Sequence, residues 1–378
     1  MGLKLFSRLR RSRPEGVVQP WCFYLPQFHP IPENDAWWGE GFTEWDNVRA
    51  ARPLYPGHAQ PHEPAGAGYA DYYDLRDPAV LARQAELARA CGIAGFVFYH
   101  YWFSGRELLT APLANLLADS SIELPFFLCW ANESWTRRWD GLDSEVLLAQ
   151  EYSAADDLLH IRRLLPVFRD PRYYKLEGRP VLMVYRSEEL PDAAATAECW
   201  RREARRAGFP GLCLLRVEGF QAGIDPAEHG FDAAVEFAPD WHCLTRRVYL
   251  GPAGEWRETP EGAHPGTVAN RIFLYDEVVA AMLAKPEPGY RRYPGVFPSW
   301  DNSARRRQGG ATILHGATPD AFRRFFRAAA ARTAAFKSDE RLVFINAWNE
   351  WGEGCHLEPD REHGRAFLEA LRPAGRSE

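Results

Sequence analysis

No stretch of the 378-residue sequence approaches 18 uninterrupted apolar residues, the length at which a helix begins to span a bilayer. A secretory signal is also missing, because Met1 to Arg13 has no apolar centre. Both absences lead to the expectation of a cytosolic chain. Basic excess is lacking too: Lys plus Arg minus Asp plus Glu is 45 − 51 = −6, which argues against nucleic acid as a partner. Seven cysteines (Cys22, Cys91, Cys129, Cys199, Cys213, Cys243, Cys355) are scattered, without a Cys-x-x-Cys pair, and read as reduced core thiols. No Gly-rich turn resembles a phosphate cradle, and no Asp-x-Asp motif suggests a sugar-nucleotide metal. Histidines are available at His29, His100, His242, His315 and His356, with Glu358 nearby, but not at metal-ligand spacing. Neither a metal nor a cofactor is therefore expected. Repeats, low-complexity tracts and linkers are absent as well.

What is present is an apolar share of 46%, enough for a large core, and 13% aromatics including 14 tryptophans. Some of these indoles are core residues; others stand beside polar residues in predicted loops, where they can stack on a ligand. Eight apolar runs read as strands: Pro20 to Leu25, Gly95 to Tyr101, Pro125 to Trp130, Pro180 to Tyr185, Leu212 to Val217, Ala233 to Phe237, Gly295 to Trp300 and Leu342 to Trp348. Helical periodicity lies between them, at Pro78 to Cys91, Asp156 to Phe168, Ala193 to Ala207, Pro319 to Ala335 and Gly364 to Leu371. Eight alternating units predict an α/β fold, a single (β/α)8 TIM barrel. Long insertions, Gln27 to Asp77 and Ala238 to Tyr275, would decorate its catalytic face. Residues 1–16 are read as a basic flexible tail, with Lys4, Arg8, Arg10, Arg11 and Arg13 among Leu3, Leu5, Phe6 and Leu9. That tail is either a frayed terminus or a peripheral contact with an anionic membrane. Residues 17–378 are read as the catalytic domain.

A barrel enzyme carries its working residues on the loops after its strands. Polar and aromatic residues collect there in this sequence: Gln27 and His29 after the first strand, His100, Tyr101 and Trp102 after the second, Trp130, Asn132, Glu133 and Trp135 after the third. Glu218 follows the fifth, Asp240, Trp241 and His242 the sixth, and Trp300, Asp301 and Asn302 the seventh. Hydrogen-bonding groups beside flat apolar rings suit a carbohydrate, whose hydroxyls need partners and whose C–H faces stack on indoles. A poly- or oligosaccharide is thus the expected partner.

The last strand runs directly into Asn349-Glu350-Trp351-Gly352-Glu353-Gly354. Apolar walls raise a carboxyl pKa while a hydrogen-bonded neighbour keeps its own low, so Glu350 and Glu353 can serve as an acid and a base at neutral pH. The alternative is a solvated turn or a pair of arginine salt bridges.

The motifs Tyr24-Leu25-Pro26-Gln27-Phe28-His29, Gly41-Phe42-Thr43-Glu44-Trp45, Tyr72-Tyr73-Asp74-Leu75-Arg76, Phe98-Tyr99-His100-Tyr101-Trp102-Phe103, Cys129-Trp130-Ala131-Asn132-Glu133-Ser134-Trp135 and Asn346-Ala347-Trp348-Asn349-Glu350-Trp351 resemble the WbsX-type proteins of bacterial polysaccharide gene clusters. These are grouped with the endo-α-mannosidases of glycoside hydrolase family 99. The resemblance runs from about Pro20 to Leu371, and it implies a retaining glycosidase with Glu350 as base and Glu353 as general acid. It further implies that the base deprotonates the sugar's own 2-hydroxyl, which attacks the anomeric carbon to give a 1,2-anhydro intermediate. Such a route needs manno-configured sugars, mannose or rhamnose in type. A role in O-antigen or lipopolysaccharide assembly, with other assembly proteins as partners, is implied as well. Glycosyl transfer and a catalytically silent glycan-binding barrel are the alternatives.

Around this pair the expected substrate contacts are Gln27, His29, Glu44, Trp45, His100, Tyr101, Trp102, Trp130, Asn132, Glu133, Trp135, Trp241, Trp300, Asp301, Asn349 and Trp351. Asn132 and Glu133 form a rival catalytic pair. Glu44 and Asp46 have turn capping as their other reading, and Arg137 and Arg138, before Trp139 and Asp140, are candidates for an acidic sugar.

Overall fold

Each of the eight apolar runs forms a strand in the computed structural model, which describes residues 18–66, 71–137, 142–259, 270–306 and 309–372. The basic tail and Arg138, Trp139 and Asp140 lie outside the described residues. The strands are β1 (Gln19–Tyr24), β2 (Gly95–Phe103), β3 (Phe126–Trp130), β4 (Arg179–Val184), β5 (Cys213–Glu218), β6 (Ala233–Glu236), β7 (Arg292–Tyr293 and Gly295–Val296) and β8 (Leu342–Ile345). They pair in parallel from β1 through β6 in chain order, and β1 also pairs with β8.

Closure runs through β7. Its first half pairs with β6 and its second with β8. Pro294 between the halves has no N–H to donate to a ladder, although its carbonyl accepts from Phe344 at 2.9 Å. Gly295 follows because the backbones approach closely there: a Cβ would run into the Glu236 carbonyl. The fold is a (β/α)8 barrel.

Alternation along the strands sorts their side chains. Trp21 and Phe23 turn inward, where Trp21 packs 5.0 Å from Phe127 and Phe23 stacks 5.4 Å from Tyr99. Tyr24 turns outward and donates to Gln84 at 2.7 Å. Trp21, Phe23, Tyr24 and Phe127 are almost wholly buried, and such a ring contributes about 2–3 kcal/mol by area.

Helices α1 (Pro32–Trp38), α2 (Glu44–Ala50), α3 (Pro78–Ala90), α4 (Ala111–Ala118), α5 (Ala154–Phe168), α6 (Ala193–Arg206), α7 (Tyr275–Leu283), α8 (Pro319–Arg332) and α9 (Ala366–Glu369) complete the described elements. The four long ones, α3, α5, α6 and α8, start where side-chain caps stop the preceding chain: Asp77, Ser153, Asp192 and Thr318 each accept an amide of the first turn. The run Gly364 to Leu371 yields only the four residues of α9. Helices α1, α2, α4 and α7 were not anticipated, being seven to nine residues long, too short for an apolar stripe to repeat. Between β5 and β6 a 3-10 turn, Pro226–His229, stands in place of a helix. Among the described residues no helix is long and apolar enough to cross a membrane.

The insertions do lie at the strands' C-terminal face. The sixth builds an unforeseen second sheet with the chain after β7, in the order Trp256–Glu258, Val248–Leu250, Arg271–Leu274, Thr312–His315, Trp300–Asp301. Strands of two to four residues carry too little alternation to be read beforehand.

Candidate active site

The end of β8 is fixed before it presents anything. Asn349 accepts from the Leu25 amide at 2.8 Å and donates to the Leu25 carbonyl at 2.9 Å, tying the segment to the end of β1. Asn349–Glu350 then pairs antiparallel with Cys355–His356, closing a tight hairpin. Its tip is the 3-10 turn Trp351–Glu353. Both glutamates of the motif thereby project toward a residue that sequence reasoning missed, Arg305, on the loop after Trp300.

The Arg305 guanidinium reaches three carboxylates: Glu350 at 2.9 Å, Glu353 at 2.6 Å and Glu44 of α2 at 2.9 Å. Gly352 is what lets them converge, since a Cβ there would meet the Glu44 carboxylate and come within 2.9 Å of Arg305 Nε. Three carboxylates around one cation leave an excess of negative charge. Burial raises the Glu350 carboxyl to about 8; Glu353 and Glu44 push the same way and Arg305 opposes them. Burial works against the Arg305 charge, yet Glu44, Glu353 and Glu350 hold its pKa well above the ordinary value. The side chain of Glu353 remains one-fifth exposed.

This cluster forms part of the wall of a cavity of about 330 Å³. Expected contacts that line it are Gln27, Tyr101, Glu133, Trp135, Trp241, Trp300, Glu350 and Glu353. Asn302, expected after the seventh strand, lines it too, and lining residues that were not anticipated include Trp37, Trp38, Tyr99, Tyr185, Phe220, Phe237 and Arg305. The walls are rich in aromatic rings: Trp241 meets Trp300 edge-on at 5.0 Å, and Trp135 sits between Tyr101 at 5.3 Å and Trp37 at 5.8 Å. Gln27 donates to the Tyr101 hydroxyl at 3.0 Å. Glu133 is paired with Arg186 at 2.6 Å.

Other expected contacts are not brought to the cavity. On β2, odd residues face inward, so Tyr99 and Tyr101 line it while His100 and Trp102 turn outward onto His160 of α5. Trp130 likewise points outward, 4.7 Å from His160 and 5.8 Å from Trp200. Asn132 joins the ends of β3 and β4, accepting from the Arg186 amide at 2.8 Å and donating to its carbonyl at 2.8 Å. Trp45 packs against Phe28 and Trp351 and donates to the Tyr73 carbonyl. Trp351 turns away from the cavity, stacking on His356 at 3.7 Å and donating to Glu358 at 2.7 Å. His29 is buried, and burial lowers its pKa. Glu44 lies behind Arg305 with no exposed side chain, and Asn349 is fully buried in its clamp. Asp301 lines a second cavity instead.

Glu358 is a further carboxylate that sequence reasoning left unassigned. Tyr73, Gln84 and Trp351 each donate to it at 2.7 Å, and burial still raises it to about 7. Among the described residues, no group of three His, Cys, Asp or Glu side chains is arranged to hold a metal ion.

The family model described as Glycosyltransferase WbsX matches residues 20–371. Two curated relatives, both called uncharacterized protein WxcX, come from strains of Xanthomonas campestris pv. campestris. One is 46% identical over 357 residues and the other 45% over 363, with 93% of this chain and 49% of the relative covered in each case. The chain therefore spans about half the length of the curated relatives it matches. Among solved structures, a glycoside hydrolase-like protein superposes with a TM-score of 0.57 at 14% identity, over 97% of this chain and 98% of the other. A GH99 endo-α-mannosidase from Bacteroides thetaiotaomicron does so at 0.54 and 14%, over 93% and 94%. At such identities the likeness concerns the fold.

Proposed function

The chain belongs to the WbsX glycosyltransferase family, and we propose that it is an enzyme acting on α-linked, manno-configured residues of a bacterial cell-surface polysaccharide, with Glu350 and Glu353 as its proton-transfer pair. The observation that carries this reading is the bridging of both carboxylates by Arg305 at the wall of an aromatic cavity. One carboxyl is buried and raised, the other partly exposed, so the two stand in unequal environments, as an acid and a base working together require. Residues 17–378 act as the catalytic domain.

Glu350, once ionised, takes the proton of the substrate's 2-hydroxyl as that oxygen attacks the anomeric carbon. Glu353 gives its proton to the departing glycosidic oxygen. Ionised Glu353 then accepts a proton from water, whose oxygen opens the three-membered ring, and Glu350 returns its proton to O2. A carboxyl lifted toward neutrality is a stronger base for a weakly acidic hydroxyl than an ordinary glutamate. Arg305 keeps the two groups in register, and the indoles present flat faces to the sugar. The family description favours a second reading, transfer, in which an acceptor hydroxyl takes the place of water.

The test is incubation of the protein, and of Glu350→Gln/Glu353→Gln, with bacterial surface polysaccharides and manno-configured oligosaccharides, with and without sugar nucleotides. Shorter products and new reducing ends from the wild type alone support the hydrolase. Longer products from the wild type alone, with or without a sugar nucleotide, support transfer. Identical behaviour of the two proteins removes both.

A further inference from the structure

A second cavity, of about 350 Å³, adjoins the first, with Trp300 in the lining of both. Nothing in the reaction above uses it. Its walls come from the insertion after β1, from the second sheet and from the chain after β8. Tyr55 stacks on His58 at 4.5 Å and an interplanar angle of 21°, and its hydroxyl lies 3.3 Å from His315 Nδ1. Behind them Trp256 packs 4.4 Å from His315. These are flat, partly polar surfaces.

The charges in this cavity argue for a neutral ligand. Asp301 is buried, and its carboxylate receives three donors: His58 Nε2 at 2.6 Å, Gln60 at 2.8 Å and the Ser303 amide at 2.9 Å. His58 Nδ1 accepts from the Leu54 amide, so the hydrogen on Nε2 is the one given to Asp301. His62 and His356 face each other at 2.9 Å, and burial lowers both imidazoles, leaving them uncharged at neutral pH. Arg361 is engaged with Glu63 at 2.8 Å. Carboxylates thus outweigh cations, which disfavours an anionic ligand, and the residues offer no three-ligand metal group. Rings, imidazoles and carboxylates with spare lone pairs suit hydroxyl groups.

We propose that this second cavity is a carbohydrate site, taking a neutral, hydroxyl-rich residue of the same glycan whose neighbouring residue occupies the catalytic cavity across Trp300. The inference rests on the glycan-processing reading and is tested apart from turnover. Histidine- and tryptophan-labelled Glu350→Gln/Glu353→Gln protein is titrated with α-linked manno-oligosaccharides of increasing length, and separately with inorganic phosphate. The NMR signal of His315, assigned through His315→Gln, reports the second cavity, and the Trp241 indole signal reports the first.

Both signals are expected to shift with the longer oligosaccharides, and Tyr55→Ala should weaken the His315 response at least tenfold while leaving that of Trp241. Movement of Trp241 alone overturns the second site and leaves the glycan reading standing. Movement of His315 alone supports the second site and counts against the catalytic one. A His315 response to phosphate but not to sugar overturns the proposal in favour of an anion site, and silence of both signals overturns both readings.

Discussion

Arg305 holds Glu350 and Glu353 with different nitrogens of one guanidinium, at 2.9 and 2.6 Å, while its Nε faces Glu44 at 2.9 Å. The arrangement makes a single side chain the shared counter-ion of these three carboxylates. Removing one partner from a buried charge cluster costs about 3–5 kcal/mol, because the remaining charges stay desolvated. Arg305→Met is expected to fall in that range. The loss should be greater at pH 8.5 than at pH 5.5, since Glu350, raised to about 8, is ionised at the higher pH and not at the lower. Thermal unfolding at the two values checks this, and an equal loss at both would show that Arg305 does not balance charge.

The pH dependence of catalysis should follow Glu350. With its carboxyl raised to about 8, about a tenth of it is ionised at pH 7. As a base it must be ionised to act, so kcat/KM is expected to rise from pH 6 to about pH 8 while Glu353, the acid, keeps its proton, and to fall once that proton is lost. An ordinary glutamate base would have reached its plateau by pH 6. A rate that falls over the same window would make Glu350 the proton donor and exchange the two roles.

Gly352 packs against the Glu44 carboxylate and Arg305. Gly352→Ala should therefore cost about 1–3 kcal/mol through overpacking and lower turnover by separating Arg305 from the pair. Its effect should exceed that of Gly254→Ala, where a Cβ meets nothing within 4 Å but the backbone is left-handed. Parallel melting curves and turnover measurements on the two variants decide the point, and a silent Gly352→Ala would contradict the packing.

Glu358 offers a stability test away from chemistry. Its carboxyl is raised from 4.5 to about 7 by burial, so the folded state binds its proton more tightly than the unfolded chain. The stabilisation is complete below pH 4.5 and is lost as pH rises through about 7, amounting to about 3 kcal/mol. Glu358→Gln has no proton to lose. Its Tm relative to wild type should rise between pH 5.5 and pH 8.5, and a constant difference would place the titrating group elsewhere.

The barrel was legible because eight apolar runs, each ending in polar or aromatic residues, have few other readings. The Glu350 and Glu353 pair stood out because carboxylates seldom follow so apolar a strand directly. What could not be read was which side of a strand end each residue faces. His100 and Tyr101 look equivalent in sequence, yet one residue of register sends one to α5 and the other to the cavity. Had Tyr101 been taken as inward, the same alternation would have indicated Tyr99. Arg305 carried no signal at all: it lies beside Arg306 in an irregular loop, and its role depends on Glu44, 261 residues away in sequence.

The most direct test of the account is turnover by Glu353→Gln on a polysaccharide that the wild type processes, measured together with binding of that polysaccharide. Loss of the general acid should lower kcat by about 10² to 10⁴ while affinity stays within a few-fold. Turnover equal to wild type would contradict the assignment of Glu353 and with it the proposed chemistry of the site.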